Sequence, residues 1–200
     1  MSLEFDFSGF KRVAEQLNAA ADQIPFALSQ ALNDGAEIVR KELIADVWPS
    51  HVKVRNARFI AAALTMKGRR ATKRNLRVEI YDRLGRGSLA LHETGGSKRP
   101  RGTALAVPSK ALQAARTSKG IPAGMRPRAL PDSFKKGDAL YQRTGKGKTK
   151  GLKLAYVLKP STAIKPTVPF TRDFEDAMRI EVGRAFGPRL QAAMKSRRGR

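Results

Sequence analysis

Between Ser97 and Lys159 the chain holds sixteen Lys and Arg residues and only two Asp and Glu. A folded segment of that composition cannot neutralise itself. Its cations must lie on a surface, and their mutual repulsion works against compactness. The rest of the chain is unevenly charged as well. Residues 1–52 carry four Lys and Arg against eight Asp and Glu, and residues 53–77 carry nine against none. The net charge of +23 is thus a mildly acidic beginning followed by a strongly basic middle. Two kinds of partner fit this pattern. One is an anionic polymer, most simply a nucleic-acid backbone. The other is a second copy of the chain, its acidic part meeting this basic part head to tail.

Two hundred residues, 41% of them hydrophobic, can form a real core. The expectation is a single α+β domain over 1–200 with an extended basic loop or arm over 84–136 and a mobile basic tail over 195–200. Cysteine is absent, which removes disulfides, thiol catalysis and Cys-ligated zinc. No stretch is long and apolar enough to span a bilayer, so no membrane association is expected. The start "MSLEFDFSGF" lacks a basic run leading into an apolar one, so no signal peptide is expected.

Hydrophobic spacing places the elements. Residues 8–22 suggest a short helix with Ser8 as its cap. Leu28, Leu32, Ala36, Val39 and Leu43 recur at helical spacing from Ile24 to about Val47. Gly35 interrupts that helix, and Pro49 is expected to stop it. Residues 54–67 suggest a third helix with Val54, Phe59, Ala62, Ala63 and Met66 inward. "NLRVEIYD" alternates as a half-buried strand, with Leu76, Val78 and Ile80 on one face. A short strand near Thr103–Val107 and a helical turn near Lys110–Ala115 interrupt the irregular region. Residues 138–144 and 152–158 form a hairpin, its turn eased by Gly145, Gly147 and Gly151. A last helix runs from about Thr171 towards Ser196, with Gly187-Pro188 expected to kink or end it. Helices then strands then a helix implies an antiparallel sheet with the N-terminal helices and a long C-terminal helix packed on it.

Catalytic chemistry finds little to stand on. The only histidines are His51 and His92. His92-Glu93 lacks a third group in motif spacing and reads as a turn before a glycine pair. No metal-ligand spacing occurs. "GKGKTKG" does not match a phosphate-binding loop, because no Gly-Lys-Ser/Thr precedes a helix. No enzyme, cofactor or metal is expected. Base-reading motifs are also missing, and aromatics are rare among the basic runs, so any nucleic-acid contact should be to the backbone. Phe134, Tyr141 and Tyr156 read as core or sheet-face residues. The candidate DNA or subunit contacts are Arg69, Arg70, Lys73 and Arg74; Lys98, Arg99 and Arg101; and Lys146, Lys148 and Lys150 at the hairpin tip. Pro169, Phe170 and Phe174, in "VPFTRDF", are the candidate structural anchor.

The order of these pieces resembles a known family. It comprises "ALSQALNDGAEIVRKEL", "VKVRNARFIAAALTMKGRRAT", "NLRVEIYD", "LPDSFKKGDALYQRTGKGK" and "PTVPFTRDFEDAM". Over most of Gln23–Met178 this is similar to the minor tail protein Z and tail-completion proteins of long-tailed bacteriophages. The segments "QAARTSKGIPAGMRPRALP" and "STAIKPT" depart from that pattern. The resemblance implies a structural virion protein of the neck, assembled in the host cytoplasm. It implies a ring of copies around the DNA channel, a hexamer being one option. Its implied partners are tail-terminator and head-tail connector proteins, and phage DNA. Channel walls that bound DNA tightly would hinder its passage, so the basic arms would serve subunit contacts at least as much as DNA. The alternative is a non-sequence-specific nucleic-acid-binding protein.

Overall fold

The computed structural model describes residues 1–6, 23–85, 89–100, 102–117, 119–145 and 151–198. The helix expected over 8–22 lies outside them. The fold is α+β, with antiparallel strand pairs throughout. One domain was the expectation; the chain instead forms two compact units, Met1–Glu93 with Pro166–Arg200, and Thr94–Lys165. Most of the supposed arm over 84–136 belongs to the second unit, which has a sheet and a small core of its own.

In the first unit, β1 (Ser2–Asp6), β2 (Leu64–Thr65) and β3 (Arg77–Asp82) form a sheet in the order β1-β3-β2. Leu3 pairs with Ile80 and Phe5 with Val78, so both strands turn apolar side chains to one face. Strand β1 is absent from the sequence reading, although Leu3 and Phe5 alternate with polar residues there.

Helix α1 (Gln23–Glu42) buries Leu28, Leu32, Ala36 and Val39, as its spacing predicts. The chain does not stop at Pro49. A π-helical turn over Leu43–Val47 leads directly into α2 (Trp48–His51), which contains the proline. The Trp48 N–H bonds to Leu43 O, five residues back. This wider turn makes room for a ring that would otherwise meet the carbonyl four residues earlier. Helix α3 is shorter than expected, Ala57–Ala63, because Asn56 caps it: its side chain accepts from the Arg58 N–H at 3.0 Å. Its inward residues are Ile60 and Ala63, while Val54 and Ala62 are exposed. Helix α4 covers Leu89–Thr94.

The long last helix, here α6 (Phe170–Arg198), packs with α1 over the three-stranded sheet. Gly35 explains how closely. A methyl group placed on it would lie 3.1 Å from Val182 Cγ2, so the glycine lets α6 approach α1. Gly187-Pro188 does not end α6. Pro188 sits on an exposed side, while Ile24 packs with Phe186, Leu190 and Met194 across that point. The tail is not free from residue 195 either, since the helix continues to Arg198 and the Ser196 hydroxyl donates to Ala193 O at 2.7 Å.

In the second unit, β4 (Gly96–Lys98) pairs with β9 (Thr162–Ile164). A four-stranded sheet runs β5-β8-β7-β6, from β5 (Leu105–Pro108), β8 (Gly151–Lys159), β7 (Ala139–Thr144) and β6 (Ser133–Lys136). Pro108 is tolerated because β5 is an edge strand. Helix α5 (Lys110–Ala114) is capped by Ser109. The expected hairpin is β7–β8. A second hairpin, β6–β7, turns through Gly137 at φ +57°. Strand β8 does not alternate simply between its two faces. The register shifts between Leu140 and Tyr141, leaving Ala155 as an extra residue. Ala155 and Tyr156 are therefore both buried, while Leu152 and Leu154 are exposed.

Candidate polyanion-contact surface

The second half of the acid-free stretch of the first unit forms a braced loop between β2 and β3. Asn33 on α1 pins its middle: its Nδ2 donates to Ala71 O at 3.0 Å, and its Oδ1 accepts from the Ala71 N–H at 2.8 Å. Thr72 and Asn75 exchange backbone bonds of 2.8 and 3.0 Å, which puts Lys73 and Arg74 at the tip of a tight turn. The neighbouring arginines are less available. Arg69 lies 3.7 Å from Glu79, Arg70 lies 3.1 Å from Glu37, and Arg77 pairs with Glu4. Of the four predicted contacts here, Lys73 and Arg74 are exposed and outside any ion pair among the described residues.

The second unit contrasts with this. Every ion pair among the described residues lies in the first unit. The segment Thr94–Lys165 carries seventeen Lys and Arg and two Asp and Glu, so it lacks the carboxylates to neutralise itself. Lys98 stands half-buried on β4, opposite Thr162, and Arg99 follows it, exposed. Arg101, Lys146, Lys148 and Lys150 lie outside the described residues. The flanking strands pair as far as Thr144 and Gly151.

The long segment before β6 folds onto its own sheet. The Tyr156 hydroxyl donates to Met125 O at 2.7 Å, and Leu130 packs with Leu112, Ala155 and Tyr156. Burial pushes the Tyr156 phenol above its ordinary pKa, with Arg116 and Arg126 pulling the other way. Beside this link lies a cleft of about 840 Å³. Arg126, Arg128 and Lys135 stand on its rim with Asp138, and Ala106 and Leu158 lie within its lining. These three cations are missing from the sequence-based candidates. For the two arginines the nearest signal is the run "MRPRALP", where a proline separates them. Phe134 and Tyr141 occupy a sheet face, their rings stacked at 6.0 Å, with the Arg143 guanidinium 4.9 Å from the Phe134 ring centre.

The proposed anchor residues do not lie at this surface. Phe170 and Phe174 are fully buried and Pro169 is half-buried. Phe170 stacks on Trp48 at 6.0 Å, and Phe174 meets Phe5 edge-on at 6.4 Å. His92 and Glu93 brace the start of α6. The His92 carbonyl accepts from the Thr167 and Val168 N–H groups, and the Glu93 carboxylate accepts from the Thr171 N–H at 2.7 Å. Among the described residues no group of three or more His, Asp or Glu could hold a metal ion. Nor is any helix among them long and apolar enough to cross a membrane. No family model, curated protein or solved structure matches the chain.

Proposed function

We propose that this chain is a structural protein of the bacteriophage neck, of the tail-completion type. It works in the virion by assembly and backbone contact rather than by catalysis. On this reading the first unit is the assembly body. The second presents unneutralised cations to phosphate backbone, or to an acidic surface of the next copy. The observation that carries the proposal is the segregation of ion pairs. The first unit answers several of its exposed arginines with its own carboxylates, and the second leaves its cations without such partners among the described residues. Other copies in a ring, tail-terminator and connector proteins, and DNA in the channel are the partners this reading requires.

The test is assembly with tail-tube and tail-terminator proteins of one phage, followed by electron microscopy. Phe170→Asp should abolish incorporation at the tube end. Lys98→Gln with Arg99→Gln should leave incorporation intact or weaken only the contact between copies. Incorporation that survives Phe170→Asp, or that is lost on Lys98→Gln with Arg99→Gln in a folded protein, would contradict the assignment of assembly to the first unit.

The same segregation favours a second reading, a free nucleic-acid-binding protein that contacts phosphates without reading sequence. It predicts a monomer or dimer that ignores tail proteins and binds duplex DNA with a steep salt dependence.

A further inference from the structure

The cleft of the second unit joins two kinds of surface. Its rim holds Arg126, Arg128 and Lys135, all exposed, and none is in an ion pair among the described residues. Ala106 and Leu158 face each other across β5 and β8 and contribute apolar lining. The volume, about 840 Å³, is that of a small-ligand cleft. The segment bearing the arginines is held before any ligand arrives. Tyr156 bonds Met125 O at 2.7 Å, the Arg126 Nε donates to Ile121 O at 3.4 Å, and Pro127 fixes the backbone between the two arginines. Such preorganisation lowers the entropy lost on binding.

We propose that this cleft seats a short stretch of single-stranded nucleic acid, phosphates on Arg126, Arg128 and Lys135 and a base or sugar against Ala106 and Leu158. The inference rests on the reading of Thr94–Lys165 as facing a polyanion, and narrows it. A duplex shows its phosphates on a convex surface and keeps its bases stacked inside. It can touch a rim but cannot fill a partly apolar cleft. A single strand can place backbone and base in different parts of one recess. Asp138 shares the rim with the three cations, and there it would meet a base edge rather than a phosphate. A carboxylate repels phosphate but accepts hydrogen bonds from the exocyclic amines of cytosine and adenine.

The test is fluorescence anisotropy on the full chain with short single-stranded oligonucleotides and a duplex of the same sequence. For Arg128→Ala with Lys135→Ala, single-strand affinity should fall at least about tenfold. The slope of log K against log salt should drop by about 1.4, from two contacts at about 0.7 each. Duplex affinity should stay within about twofold. Arg128→Lys, which keeps the charge, should recover most of the loss and serves as the check against misfolding. Asp138→Asn should reduce any preference for dC over dT oligonucleotides. Unchanged single-strand affinity, or equal losses for single strand and duplex, would overturn the proposal. A wild-type protein that binds duplex but no single strand sinks this inference alone. One that binds no nucleic acid sinks the polyanion-facing reading with it.

Discussion

Two residues carry more of the structure than their type suggests. Tyr156 is buried, and its hydroxyl is the tie to Met125 O. Tyr156→Phe should cost the second unit about 1 kcal/mol, read by chemical denaturation. The phenol also sets a pH dependence. Its pKa is raised in the folded state, so the neutral form is favoured by folding. That contribution is complete below the ordinary tyrosine pKa of about 10 and is lost as pH rises through the raised value. Stability should therefore fall more gently with alkaline pH in Tyr156→Phe than in the wild type. Gly35 acts by absence. Gly35→Leu should cost about 3 kcal/mol, because its side chain would occupy the space of Val182. The sequence shows Gly35 only as a blemish in a helix, since the helix it admits lies far along the chain.

Among the elements, α6 depends on a residue outside itself. The Glu93 carboxylate takes the Thr171 N–H at the start of the helix, where negative charge is favourable. Glu93→Ala should cost about 1 kcal/mol, measured as a lowered melting temperature. Pro188 makes the opposite case. It lies exposed inside α6, and Pro188→Ala should stabilise the chain by about 1–3 kcal/mol. Helical periodicity in α1 and α6 and the alternation in β3 were readable because each pattern lies within one continuous segment. The limits of α3 were not, since its polar cap at Asn56 competes with an apolar pattern that runs further. The bulge at Ala155 was hidden as well. One inserted residue flips the faces of half a strand, and only the partner strand reveals it.

At the scale of the molecule, charge is sorted between two units. The excess of cations was plain in the residue counts. Which of them remain unpaired was not, because Glu4, Glu37 and Glu79 reach Arg77, Arg70 and Arg69 across the fold. The cleft at Arg126 and Arg128 was likewise invisible, since it forms only when an irregular segment packs back onto β8. The sorting predicts unequal effects on duplex binding. Lys98→Gln with Arg99→Gln should lower the salt slope by up to about 2. Arg69→Gln with Arg70→Gln should lower it less, because those side chains already face carboxylates. If the first-unit pair produced the larger change, the division of charge would have no functional meaning.

The role proposed for the chain is that of an assembling structural protein. Light scattering on the nuclease-treated protein, alone and with tail-tube and tail-terminator proteins, at moderate and high salt, tests it most directly. A discrete ring-sized species is expected, either alone or on addition of the tail proteins. A particle that stays monomeric, ignores the tail proteins and binds duplex DNA with a steep salt slope would contradict it.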